Sequence, residues 1–215
     1  MAQKRAIRTR DALTQAAAEH FDRYGYAGTT LVRVAQDAGS SMGALTFHFP
    51  TKERLADVLV RQGTAVTRGA VDDALGATSS ALARARAVLL TVSRLLDSEP
   101  RVRAAARLAR EHHDGAEDWS TSWFPRLQEQ LVQAHAAGEL RSEEDVELLS
   151  LLAVYHIVGD VGEVRRHLHR RSPAVEEGQP ASSDERLGRL WDLIVCGPTR
   201  RPSPARCAPR TQALS

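Results

Sequence analysis

Apolar residues recur along this chain at three- and four-residue steps almost from its start, the spacing that gathers them on one face of an α-helix. Leu13, Ala16, Ala17, Phe21 and Tyr24 trace the first such face from Arg8 onward, and Gly25 stops it. Leu31, Val34, Ala35 and Ala38 trace a second, shorter face, with Thr29 or Thr30 before it as a cap. Gly39 ends that helix because it reaches the left-handed conformation a helix stop needs, and Ser40 or Ser41 caps the next start. Ala44, Leu45 and Phe47 to Phe49 supply the apolar side of a third helix, which Pro50 and Thr51 close. Two short helices across a glycine turn make a helix-turn-helix, whose second helix lies in a DNA major groove.

Thr51 caps the next helix, with acidic Glu53 in its first turn and Leu55, Val58, Leu59, Gln62 and Val66 as its expected buried side. From about Asp72 the pattern stays helical, over 79–96, 101–112, 121–137, 143–169 and 184–195, with Gly138 as a C-cap. Strand alternation is absent. The run SPAVEEGQPASS at 172–183 lacks periodicity and reads as a loop, and from Gly197 a Pro/Arg-rich tail has too little apolar content to fold.

Composition narrows the class. A chain of 215 residues with 42% hydrophobic content buries a real core. Its 29 Lys+Arg nearly balance 27 Asp+Glu, but the placement is uneven. Lys4, Arg5, Arg8 and Arg10 face no acid in the first ten residues, where Met1 to Ile7 read as a mobile basic arm, and Arg200, Arg201, Arg206 and Arg210 make the tail basic. The body between is net acidic, so nucleic-acid contact is expected at one end only. No apolar run approaches a membrane span and no signal peptide precedes the first helix, so a cytoplasmic protein is expected, with no membrane partner. Cys196 and Cys207 lack neighbours at metal-ligand spacing, which argues against a disulfide framework or structural zinc.

The run Phe21-Asp22-Arg23-Tyr24-Gly25-Tyr26, then Gly28-Thr29-Thr30, Ala38-Gly39-Ser40, Gly43-Ala44-Leu45, Phe47-His48-Phe49, Lys52-Glu53 and Leu55 closely resembles the N-terminal domain of TetR-family regulators. The Phe-His-Phe ending, the Thr-Lys-Glu after it, and Trp123 and Trp191 look most like the γ-butyrolactone-receptor branch. Residues from about Arg8 to Leu59 carry the specific part of the resemblance. It implies an all-α chain with a basic arm and three-helix DNA-binding domain in 1–51, a helical regulatory, ligand-binding and dimerisation domain in 52–196, and a disordered tail in 197–215. It also implies a ligand-responsive repressor with no cofactor, whose partners are double-stranded operator DNA, a small apolar signalling ligand and a second copy of itself.

On the recognition helix, Ser41, Met42, Thr46 and His48 lie outside the main apolar set, and Gly43 lets the backbone approach a duplex closely. Thr29, Thr30, His48 and Lys52 are the candidates for holding phosphates, while Ser41, Met42 and Thr46 face base edges. The branch commonly has Lys where Met42 stands and Tyr where Thr46 stands, so a different operator preference is expected. The lesser reading makes Met42 and Thr46 plain exposed helix residues.

Trp119 and Trp123 are four apart and share a face if helical, and an indole covers an apolar ligand while its N–H finds a carbonyl. Trp123 matches the Trp that lines the ligand pocket in the branch; Leu127, Leu131 and Val132 follow it at apolar spacing, and Gln62 is grouped with this set. The bland reading makes both tryptophans core. His156 and Asp160 sit one turn apart among Leu148, Leu151, Leu152, Ile157, Val158 and Val161, either as a ligand contact or as a satisfied structural pair. The branch tends to carry a small hydroxyl residue at Asp160, and this departure, with those at Met42 and Thr46, gives weight to an alternative to the γ-butyrolactone-type signal, a receptor-like homologue answering to an antibiotic or its precursor. Dimerisation is expected through the 143–169 helix with Leu151, Tyr155 and Val158, and the last helix with Leu187 and Trp191.

Other classes have weaker support. His112, His113, Asp114 and Glu117 combine good metal donors, but adjacent histidines on a helix point apart, so no metal site is assigned and a helical metal-dependent enzyme is the lesser reading. No GxSxG elbow, GxGxxG turn, P-loop or HExxH occurs, and no catalytic residue is assigned. A ligand-independent DNA-binding protein remains the other alternative.

Overall fold

The computed structural model describes residues 2–76, 80–111, 118–140, 142–158 and 183–196, and the regular elements among them are all helical. In order they are α1 (Ala2–Gly28), α2 (Leu31–Asp37), α3 (Met42–His48), α4 (Lys52–Gly76), α5 (Ala81–Ser98), α6 (Pro100–Glu111), a 3-10 turn (Trp119–Ser122), α7 (Phe124–Ala136), α8 (Glu143–Val158) and α9 (Ser183–Cys196). The all-α class is as expected. The expected loop at 172–183 lies outside the described residues up to 182, and Ser183 already begins α9; the tail from 197, Asp160 and the His112, His113, Asp114 and Glu117 group also lie outside them.

The expected basic arm is instead helix. α1 begins at Ala2 because the first ten residues contain neither Gly nor Pro and are rich in Ala, Lys, Arg and Gln, which extend a helix at little cost. Its regular path breaks at Gly25, with φ 70° and ψ −177°, a region open in practice only to glycine. α2 ends in a Schellman motif: Gly39 at φ 60° lets the Ser40 amide reach the Ala35 carbonyl at 2.9 Å and the Gly39 amide reach Gln36 at 3.0 Å. Ser41 then caps α3, its hydroxyl accepting from the Ala44 amide at 3.2 Å, and Thr51 caps α4 through the Arg54 amide at 3.2 Å.

The chain forms two compact units. One comprises Met1–Ala70 and Leu95–Trp123, the other Val71–Arg94 and Phe124–Ser215, so the cuts fall inside α4, inside α5 and at the start of α7. In the first unit Phe21, Leu45, Phe49, Leu55 and Leu59 bury completely with Ala104 and Leu108 of α6, each large side chain contributing about 1.5–3 kcal/mol. The buried side of α4 differs from expectation: Val66 is exposed, while Ala56, Val60, Thr64 and Thr67 are buried. Tyr24 is likewise exposed, under the Arg23 guanidinium at 5.4 Å.

In the second unit Leu89, Leu127, Leu131, Leu149, Leu187 and Trp191 are core residues, whereas Val132 is exposed. A second Schellman turn at Gly138, φ 72°, delivers Glu139 to the start of α5, where its carboxylate accepts from the Ser80 hydroxyl and the Ala81 and Leu82 amides. No described helix is long and apolar enough to cross a membrane.

Candidate nucleic-acid interface and ligand site

α3 is anchored by Leu45 and followed by Phe49, both buried, and so turns a fixed face outward. Ser41, Met42, Gly43, Thr46 and Phe47 occupy that face, all exposed. A Cβ on Gly43 would find nothing nearer than the Ser41 hydroxyl at 3.9 Å. The Thr46 hydroxyl donates to the Met42 and Gly43 carbonyls at 3.0 and 3.2 Å, which fixes its rotamer and leaves its methyl and lone pairs outward. Phe47 departs from the expected pattern: its spacing puts it on the apolar side of α3, yet it is 81% exposed. One position past Thr46 on a 100° wheel, it falls beside Gly43, and a finer wheel of α3 anchored on Leu45 finds it. His48 is half-buried, its ring 5.2 Å from Phe47 and 6.3 Å from Phe49.

Among the phosphate candidates, Thr30 is exposed at the N-cap of α2 with its side chain unused in capping. Thr29 is a correction: it is buried, and its hydroxyl donates to the Gly25 carbonyl at 2.7 Å, so its side chain braces the Gly25 corner instead of facing outward. Lys52 places its ammonium 4.4 Å from the Tyr26 ring centroid, and the Tyr26 hydroxyl donates to Glu53 Oε1 at 2.6 Å. Burial and the Glu53 bond push the Tyr26 phenol up to about 12, and the bond from Tyr26 holds Glu53 down at about 2. Beside this face the Arg10 guanidinium lies 5.8 Å from the Phe49 ring, and His20 Nε2 pairs with Asp37 at 2.6 Å, tying α1 to the end of α2.

The tryptophans come together, though not on an α-helix. Trp119 opens the 3-10 turn capped by the Asp118 side chain and Trp123 closes it, with ring centroids 6.0 Å apart at 51°. Both are buried, and the Trp119 indole donates to the Thr67 hydroxyl at 2.9 Å. Gln62 is half-buried with a buried Oε1 that has no hydrogen-bond partner among the described residues. Gly63 permits the close approach of α4 and α6, since a Cβ there would overlap Ala105 and the Arg101 carbonyl. His156 is half-buried on α8, and the Asp160 half of that pair lies outside the described residues.

The dimerisation set is partly corrected. Leu187 and Trp191 are buried inside their own unit, where α9 packs on α8, so they are not presented to a partner. Leu151 and Tyr155 are exposed, and with Leu148, Leu190, Leu193 and Ile194 they leave large apolar side chains uncovered on α8 and α9; the Val158 side chain is outside the described set. Among the described residues no group of three His, Cys, Asp or Glu side chains is placed to hold a metal ion.

Residues 13–59 match the family model of bacterial regulatory proteins, tetR family. The match covers the helix-turn-helix, and it is there that the chain is similar to this family. Its likeness within the class is to γ-butyrolactone receptors. The A-factor receptor protein of Streptomyces griseus is 37% identical over 62 residues, 29% of this chain; the match spans only 22% of that relative's length. A solved γ-butyrolactone receptor, an ArpA-like protein, shares 28% identity with a TM-score of 0.66 over 88% of this chain and 97% of that one. CprB from S. coelicolor A3(2), a TetR family protein, shares 28% identity with a TM-score of 0.72 over 94% and 93%. CprB is also solved in complex with its biological operator sequence, at 27% identity and a TM-score of 0.61 over 87% and 97%.

Proposed function

We propose that the protein is a transcriptional repressor that binds a pseudo-palindromic operator as a homodimer and leaves it when a small γ-butyrolactone-type signal binds. The observation that carries the reading is the outward face of α3, where Met42, Gly43, Thr46 and Phe47 are exposed on a helix anchored by buried Leu45. Thr30, His48 and Lys52 flank it as phosphate contacts that set register without reading sequence. Two half-sites one B-DNA turn apart need recognition helices about 34–36 Å apart, and the uncovered apolar residues of α8 and α9 supply the surface for pairing. Such a protein works in the cytoplasm, beside its DNA.

On this reading Trp123, Trp119 and Gln62 receive the ligand, with His156 and Asp160 a second polar region. The ligand stabilises a dimer state whose recognition helices no longer match the operator, and the promoter is released.

The test begins with duplexes selected from a randomised pool by the purified protein, followed by titration of the complex with synthetic γ-butyrolactones. Folded Trp123→Ala should bind the selected duplex yet resist release; a thermal scan must accompany it, because truncating a buried Trp costs about 3–5 kcal/mol. Failure to enrich any duplex would overturn the repressor reading. Release by an antibiotic or its precursor, with no response to butyrolactones, would identify a receptor-like homologue.

A further inference from the structure

A carboxylate far along the chain closes on the corner between α1 and α2. Glu111, at the end of α6, accepts the Tyr26 amide at 2.5 Å on one oxygen and the Arg107 Nε–H at 2.7 Å on the other. Arg107 also donates to the Asp22 carbonyl at 2.8 Å, so one ion pair binds a carbonyl ahead of the corner and an amide just after it. One turn earlier on α6, Arg103 pairs with the Asp22 carboxylate at 2.7 Å. The corner is shaped for this. Gly25 sits at φ 70°, and a Cβ on it would overlap the Glu111 oxygens and the Arg107 guanidinium.

Arg107 and Glu111 sit at i, i+4 with about a third of each side chain exposed, and as a surface pair alone they would matter little. The backbone amide changes that weighting, because it ties the pair to a segment 85 residues away in sequence. Burial pushes the Glu111 carboxyl up, but the Arg107 hydrogen bond and the Tyr26 amide outweigh it and hold the group below its ordinary value, so it is a carboxylate at neutral pH. From Tyr26 the connection continues through the side chain. Its ring stacks on Phe21 at 6.1 Å and carries the Lys52 ammonium on a face, and its hydroxyl holds Glu53.

We infer that Glu111 is a positioning residue for DNA binding: it fixes the Gly25–Tyr26 corner, and Tyr26 in turn fixes Lys52 for its phosphate. The inference rests on the repressor reading, in which Lys52 meets the backbone of the duplex. It also makes the last turn of α6 a place where a shift of that helix reaches the DNA contact without passing through α3.

The experiment is a double-mutant cycle on the selected duplex, with Glu111→Ala, Lys52→Ala and both, read as affinity and as the slope of affinity against salt. Lys52→Ala should lower the slope by about one per protomer. Glu111→Ala should weaken binding by roughly 2- to 30-fold, the range expected along a coupling network. In the Lys52→Ala background the same change should have no further effect. Equal losses in both backgrounds would make Glu111 merely structural and overturn the inference, while Lys52→Ala with an unchanged slope would sink the phosphate assignment and the inference together. If Glu111→Ala fails to fold, Glu111→Gln, which keeps an acceptor for the amide and drops the ion pair, is read in the same cycle against the same two outcomes.

Discussion

The Trp119 indole N–H donates to the Thr67 hydroxyl at 2.9 Å, and that hydroxyl donates onward to the Gly63 carbonyl at 2.9 Å. Thr67 is fully buried and Trp119 nearly so, so neither group has water as an alternative partner. Thr67→Val keeps the shape and removes the acceptor, leaving an indole N–H unpaired, and should cost about 1–3 kcal/mol in urea unfolding. Thr67→Ser should restore most of it. A Thr67→Val protein as stable as the wild type would show that the indole finds another acceptor.

Base reading is separable from stability on α3. Phe47→Ala should leave the unfolding midpoint close to wild type, within about 0.5 kcal/mol, since a well-exposed side chain supports little of the fold. It should still weaken duplex binding and lower preference for thymine, whose methyl an aromatic edge contacts. Met42→Lys should shift selection toward guanine in each half-site by about 1–3 kcal/mol if a bidentate contact forms. Selections indistinguishable from wild type for both variants would remove this face from base recognition.

Pairing of two copies through α8 and α9 predicts that Leu151→Asp and Tyr155→Asp yield folded monomers, because both positions are exposed within the chain and a charge buried against apolar residues is expensive. Sedimentation and duplex affinity should fall together. A variant that sediments as a dimer would place the interface elsewhere.

The Tyr26–Glu53 bond has a pH signature of defined sign. Glu53 is held at about 2 against an ordinary 4.5, so its contribution is present above 4.5 and lost as pH falls toward 2. Tyr26 is raised from 10.0 to about 12, so its contribution is present below 10 and lost as pH rises through 12. The stability difference between wild type and Tyr26→Phe should therefore be flat from about pH 5 to 9 and shrink on both sides. A difference that stayed constant down to pH 2 would mean the carboxylate is not the acceptor.

Much of the architecture was legible in the chain. Gly39, Ser41, Thr51 and Gly138 mark helix ends through rules that depend on a few neighbouring residues, and each ends or caps a helix as read. Facing was harder, because periodicity gives a stripe without saying where the core stops. Phe47 and Val66 are apolar at plausible spacing and still exposed, and Thr29 is polar and buried because the Gly25 carbonyl accepts its hydroxyl. The Glu111 clamp was invisible for another reason: its partner is a backbone amide 85 positions away, and no side-chain pattern records an amide. Leu187 and Trp191 show the same limit, since an apolar stripe does not say which of its members meets its own unit and which is left for another copy.

The outward face of α3 contacts little among the described residues: a side chain at Gly43 would meet only the Ser41 hydroxyl, at 3.9 Å, Phe47 projects into solvent, and Thr46 bonds the helix that carries it. Substitutions there meet no packing objection, unlike those at Leu45 or Phe49 directly behind. On the repressor reading, duplex preference is therefore free to change at this face one residue at a time without cost to folding.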